Sequence, residues 1–266
     1  MIDYYLDQPK EVSLETWAYC NAKCVFCPYP TMDRQGEKMS DDLISKLVDQ
    51  MIDFEHGFYF CPFKVNEPLL DKRTLPLCET MIASANCGIR FFTNGAVLTI
   101  KSIDRLARMP VGRVAQVSVS LNSHKPDDYH NLMSLDFNRT AKKLDMLHDS
   151  EFPHPVWLTT VGYPNDEFVR YCKDRWPDFE PFVIKQSGWL GEIEAQDWDV
   201  PDEPCGRWWE LSIMSSGKVA LCCMDGTGAY SIGDSNKDTL LDIYAKTRPL
   251  RVNQSRDAAP CSTCTY

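Results

Sequence analysis

The chain has 266 residues, 44% of them hydrophobic, with 28 basic against 38 acidic side chains, a net charge of −10 and a pI near 5.0. That is enough apolar material for one large domain with an appendage. The acidic balance, with no Lys/Arg run, argues against a phosphate-backbone partner such as tRNA or DNA. No apolar stretch is long enough to span a membrane, and residues 1–7 lack the basic start and apolar core of a secretion signal. Twelve cysteines in that setting point to metal binding in a reducing, cytoplasmic compartment and not to a disulfide framework.

Short β-rich runs alternate with amphipathic helical stretches. The first predicted strand, residues 12–17, leads into Cys20, Cys24 and Cys27, spaced C-x3-C-x2-C. Soft thiolates are the ligands that iron and sulfide prefer, and three of them can hold three irons of a cubane cluster and leave the fourth open. A zinc knuckle with a distant fourth ligand, or three ordinary buried thiols, are the bland readings of the same spacing. Ser40 then caps a predicted helix with Asp41 and Asp42 in its first turn and Leu43, Ile44, Leu47, Val48 and Met51 on one face. Further strands are predicted at 57–61, 89–93, 114–121, 156–161 and 181–186, with helices at 75–86, 103–109, 138–149 and 165–175. Such alternation implies a parallel sheet with right-handed crossovers. Six units are too few to close an eightfold barrel. Chemistry belongs at the C-terminal ends of such strands, where the first cysteine loop lies.

After Gln186 the composition shifts toward Trp, Asp, Glu and Pro without a clear period. Residues 1–187 therefore read as one domain, 188–204 as a bridge and 205–266 as a second domain. The last opens as a hairpin, with strands at 208–214 and 218–223 about a Ser215-Ser216-Gly217 turn, followed by a short helix at 238–245. Cys205, Cys222 and the pair Cys261-x2-Cys264 form a second thiol set. Four protein thiolates would close a cluster's coordination, and zinc takes the same four equally well. Cys223 competes with Cys222, because neighbouring strand residues point to opposite faces and only one of them can be a ligand without distortion.

The first cysteine spacing, with Phe26 immediately before the third thiol, resembles the radical S-adenosylmethionine (SAM) superfamily. Cys27-Pro28 followed by Lys38-Met39-Ser40 is similar to its SPASM/twitch branch. So is the stretch Gly217-Lys218-Val219-Ala220-Leu221-Cys222-Cys223-Met224-Asp225 with Ile232-Gly233-Asp234 and Pro260-Cys261. The resemblance implies an α/β fold, a partial (β/α)6 TIM-like barrel with a small C-terminal twitch domain of β-hairpin and helix. It implies a [4Fe-4S] cluster on Cys20, Cys24 and Cys27 whose open iron chelates SAM, with Phe26 against the adenine. An auxiliary [4Fe-4S] cluster would sit on Cys205, Cys222, Cys261 and Cys264. Lys64-Val65-Asn66-Glu67-Pro68 stands where the family has a G-G-E-P-like motif; its glycines are absent here, and Glu67 fits the acceptor for the SAM ammonium. Thr93-Asn94-Gly95 matches a T-N-G turn, which also reads as an ordinary strand-ending Asn-Gly turn. Ser118, Ser120 and Asn122, placed on one face by alternation, end the fourth strand where SAM contacts are expected, Ser120 and Asn122 foremost.

By the same resemblance, the chain is an oxidoreductase similar to twitch-domain aminocyclitol dehydrogenases, oxidising a small polyol or amino-sugar-like molecule with the auxiliary cluster taking an electron. Epimerisation is a close variant, with Cys61 or Cys223 returning a hydrogen atom. Cys61 reads more readily as a small buried hydrophobe, and Cys78, Cys87 and Cys172 as core residues. Arg170, Lys185 and Glu192 are possible pocket groups, each otherwise an ordinary charge. Trp157, Trp189, Trp198, Trp208 and Trp209 suit sugar C–H faces, although such residues more often fill cores. The chemistry implies an electron donor such as flavodoxin or ferredoxin. Maturation of a ribosomally made peptide is the second reading, set back by the short segment ahead of Cys20; a non-catalytic iron–sulfur or zinc protein is the third.

Overall fold

The computed structural model describes residues 3–162, 165–194 and 199–266, so Trp198 and part of the expected bridge lie outside the described residues. Six strands, β1 (Glu11–Leu14), β2 (Phe58–Cys61), β3 (Cys87–Thr93), β4 (Val114–Ser120), β5 (Val156–Val161) and β6 (Glu180–Ile184), pair in sequence order, all parallel. Helices α1 (Asp41–Ile52), α2 (Thr74–Ser84), α3 (Ile100–Ala107), α4 (Pro126–Met133), α5 (Phe137–Asp149) and α6 (Asp166–Arg175) fill the crossovers. This is the expected partial barrel.

Local chemistry accounts for the elements. The Ser40 hydroxyl accepts from the Leu43 amide at 3.2 Å, and Leu43, Leu47, Val48 and Met51 bury one face of α1. Each such side chain taken fully out of water contributes about 1.5–3 kcal/mol. Along β3, Cys87, Ile89, Phe91 and Thr93 are buried while Gly88, Arg90 and Phe92 alternate onto the opposite, barrel-interior face. Gly95 ends β3 at φ +74°, where an added Cβ would lie 2.8 Å from Val119 Cγ1, so both backbone and space require glycine.

Three expectations change. The first strand stops at Leu14, because residues 16–18 leave the sheet to pair with 37–39 (Ala18 N to Glu37 O 2.8 Å, Met39 N to Thr16 O 2.9 Å). Helix α4 was not expected. Asn122 lies beyond β4 in left-handed backbone at φ +59°, which breaks the shared face inferred for it with Ser118 and Ser120.

The C-terminal segment is joined to the barrel sheet. After a turn at Gly206–Trp209, β7 (Glu210–Ile213) pairs parallel with β1, and β8 (Lys218–Ala220) and β9 (Ser231–Asp234) extend it antiparallel, giving one nine-stranded sheet. Helices α7 (Leu240–Ala245) and α8 (Arg248–Asn253) follow. Leu211, Ile213, Val219, Leu240 and Ile243 share a single hydrophobic core with Val12, Leu14 and Leu47. Lys46 of α1 donates to the carbonyls of Ser235 and Asn236, tying that core shut at its edge. No helix among the described residues is long and apolar enough to cross a membrane.

Candidate functional site

The loop from β1 to α1 carries Cys20, Cys24 and Cys27, and two backbone bonds pin it to the end of α4 (Lys23 N to Met133 O 2.9 Å, Val25 N to Leu132 O 3.0 Å). All three thiols are free. Burial pushes the Cys20 thiol up to about 12, with Glu67 and Cys27 adding to it and the Ala22 amide and Asn94 opposing. Burial likewise raises Cys27, to about 11, and Cys24. The neighbouring Cys27 and Cys20 thiols add to the rise at Cys24. Such thiols shed their protons only to a metal that replaces the lost positive charge.

Glu67 meets this loop. Its amide donates to the Tyr19 carbonyl at 2.9 Å. Its carboxylate accepts from Leu69 N at 3.1 Å, Thr93 Oγ1 at 2.8 Å and Asn94 N at 2.7 Å. Burial raises its pKa to about 7 against those three bonds. The Asn94 amide in turn donates to Asn21 Oδ1 at 2.8 Å and lies 3.9 Å from Cys20 Sγ. Glu67, Thr93 and Asn94 are therefore brought together with the first thiol loop. Val65 and Asn66, where glycines were expected, are buried: Val65 packs with Ala18, Tyr29 and Met32 beside Cys20 and Cys27. Asn66 Oδ1 accepts from Lys64 N, while its buried Nδ2 has no partner among the described residues.

Other expected contacts have internal occupations. Asn122 Oδ1 accepts from Val161 N at 3.0 Å and its Nδ2 lies 3.2 Å from Met133 Sδ, so its amide braces β4 against β5 and α4. Ser118 accepts from Gln116 at 2.8 Å, and Ser120 is half-buried with its hydroxyl unbonded among the described residues. Phe26 is half-buried on the thiol loop, its carbonyl accepting from Trp189 Nε1 at 2.9 Å. Glu192 accepts from Thr227 Oγ1 at 2.6 Å, and Arg170 is exposed.

The second thiol set converges. Cys205, Cys222, Cys261 and Cys264 line one cavity with Trp208, Met224 and other neighbours. Cys223 lies outside that lining; its field instead reaches Cys61, Lys64 and Arg207. Four thiols on one cavity are a donor set that fits an iron–sulfur cluster, as the three-thiol loop fits one with an open corner. Among the described residues, no three His, Cys, Asp or Glu gather tightly enough for a single metal ion. Cys61, at the end of β2, is buried within 3.9 Å of the Phe63 carbonyl, and burial holds its thiol well above the usual range. Cys78, Cys87 and Cys172 lie in the core.

Sequence reasoning missed the junction between the two thiol sets. Glu15, fully buried at the end of β1, pairs with Arg34 and accepts from Val65 N at 3.1 Å and Ser215 N at 3.4 Å. Arg34 donates on to the Gly226 carbonyl at 2.8 Å, and Lys64 reaches the carbonyls of Cys222 and Cys223. The only sequence signal was a lysine and an acidic residue beside otherwise apolar strand ends.

Residues 14–173 match the model of the Radical SAM superfamily, and residues 205–265 match an iron-sulfur cluster-binding domain, SPASM. No protein of curated function matches the sequence. Among solved structures, BtrN in complex with AdoMet and 2-DOIA aligns at 15% identity and TM-score 0.67 over 97% of this chain and 93% of that one. SuiB of Streptococcus suis bound to precursor peptide SuiA aligns at 15% and 0.72 over 97% and 70%. AnSMEcpe with bound AdoMet aligns at 13% and 0.70 over 91% and 81%. With one match covering the barrel and the other the second thiol set, the chain belongs to the radical SAM superfamily, with SAM, a [4Fe-4S] cluster and a SPASM/twitch iron–sulfur domain.

Proposed function

We propose that this radical SAM enzyme is an oxidoreductase that removes hydrogen from a small polyol or amino-sugar-like molecule and releases the remaining electron to an auxiliary cluster. The observation that carries this reading is the second thiol set, four cysteines on one cavity attached to the barrel through β7. Four protein ligands leave no iron open for substrate, and a closed cluster serves as an electron acceptor. Similarity to BtrN over nearly the full length of both chains supports a small ligand of the kind that protein holds with AdoMet.

In this reading Cys20, Cys24 and Cys27 hold the first cluster and Cys205, Cys222, Cys261 and Cys264 the second. The first cluster and SAM supply a 5′-deoxyadenosyl radical. Phe26, Glu67, Thr93, Asn94 and Ser120 shape the SAM site. Asn122 holds the strand ends that frame it. Trp157 and Phe182, on β5 and β6 with ring centroids 5.4 Å apart, offer aromatic faces that orient the substrate. Residues 1–187 act as the barrel unit, 188–204 as the bridge and 205–266 as the auxiliary unit. A cytoplasmic setting with flavodoxin or ferredoxin as donor follows from the chemistry.

A peptide substrate is the second reading, favoured by the similarity to SuiB bound to a precursor peptide. Anaerobically reconstituted protein with SAM and reductant decides between them through 5′-deoxyadenosine production. Stimulation by small-metabolite fractions is expected. Stimulation by peptide fractions alone would overturn the small-molecule assignment.

A further inference from the structure

Lys64 stands at an unusual point. It directly precedes Val65-Asn66-Glu67, the segment that meets the first thiol loop, yet its side chain runs toward the second thiol set. It is 2% exposed, and its ammonium donates to Ser212 Oγ at 3.0 Å and lies 3.4 Å from the Cys222 carbonyl and 3.5 Å from that of Cys223. No carboxylate among the described residues comes within ion-pair distance of it. Glu15 is nearby but already paired with Arg34. Asp225, fully buried in the same ligand loop, accepts from Tyr230 N through Oδ2 and leaves Oδ1 without a partner among the described residues.

A buried ammonium with only neutral acceptors is costly, because desolvation of the charge is not repaid by an opposite one. A cluster held by four thiolates is anionic. Placed in the cavity lined by Cys222, it supplies the negative charge that the protein withholds from Lys64.

We infer that Lys64 is a positioning residue for the auxiliary cluster: it clamps the Cys222–Cys223 backbone to the end of β2 and holds a positive charge that raises the cluster's reduction potential. Positive charge and hydrogen bonds around a cluster favour its reduced, more negative state. An acceptor tuned in this way draws the electron from an oxidised substrate. The inference rests on the proposed role of Cys222 as a ligand.

The test uses the full chain with Cys20→Ala, Cys24→Ala and Cys27→Ala, so that only the auxiliary cluster remains after reconstitution. Its potential is read by spectroscopic redox titration for Lys64, Lys64→Met and Lys64→Arg. Expected is a shift to more negative potential in Lys64→Met and return toward the parent value in Lys64→Arg. Loss of the cluster from Lys64→Met but not from Lys64→Arg supports the same conclusion. An unchanged potential in fully loaded Lys64→Met overturns it, as do equal shifts or equal cluster loss in both variants. Retention of the cluster after Cys222→Ala would instead sink the ligand assignment beneath it.

Discussion

Glu67 illustrates how one residue can serve the site and tax the fold. Its carboxylate has three donors, from Leu69, Thr93 and Asn94, and is buried. Gln in its place has one oxygen and one NH2, so at least one of those N–H or O–H donors would face another donor. Glu67→Gln is expected to cost about 1–3 kcal/mol in denaturant unfolding and to weaken SAM binding, since the Thr93-Asn94 turn loses its anchor. The pH dependence has a definite sign. Burial raises the folded-state pKa of Glu67 from 4.5 to about 7, so its contribution to stability is fully present below about 4.5 and is lost as pH rises through about 7. The stability difference between wild type and Glu67→Gln should therefore shrink with rising pH over that window. A difference that grows with pH would contradict the burial argument. The family resemblance assigns Glu67, Thr93 and Asn94 to one SAM site, and the structure brings them together, but nothing in the sequence shows that the carboxylate is occupied by protein donors, because those bonds depend on how two separate strand ends meet.

Elements differ in how plainly they are written. Strand β3 and helix α1 are legible because periods of 2 and 3.6 leave opposite signatures in a few residues. Helix α4 has readable signals, Pro126 at its first turn with Asp127 and Asp128, though only eight residues carry them. Strand β9 is four residues with an exposed start, too short for alternation to show. Parallel pairing of β7 with β1 joins residues about two hundred positions apart and has no local trace. At this scale the loops make the tightest demand. A Cβ at Gly226 would lie 2.6 Å from Pro28 Cγ and 3.3 Å from the Trp189 ring, with Pro28 on the first thiol loop and Gly226 following the second. The proline ring has little freedom to yield. Gly226→Ala should lower stability by about 1–3 kcal/mol and reduce iron retained after desalting, whereas an alanine at open Gly112 serves as a control for handling, its own φ of +85° costing only local strain. Equal iron retention in Gly226→Ala and wild type would show that the two loops are not held in register by this contact.

For the whole molecule, the two thiol sets lie on loops off one sheet, Cys20 and Cys27 in one small apolar cluster and Cys205 and Cys261 in another, and the residues between them are buried Glu15 and Lys64 and half-buried Arg34, charges that a composition count reads as ordinary surface. That is why the cysteine patterns could be found separately in the sequence while their coupling could not. The adjacent pair Cys222 and Cys223 offers the sharpest check on this architecture. Both are partly buried, and burial raises both thiols, so reactivity alone does not separate them. Position does: Cys222 lines the cavity shared with Cys205, Cys261 and Cys264, and Cys223 is turned toward Lys64, Arg207 and the barrel. Wild type should bind about eight irons per chain in two cubane clusters. Cys222→Ala should fall to about four, while Cys223→Ala keeps about eight. If Cys223→Ala falls to about four and Cys222→Ala does not, Cys223 is the ligand in the loaded protein, and the Cys222 assignment on which the role of Lys64 rests fails.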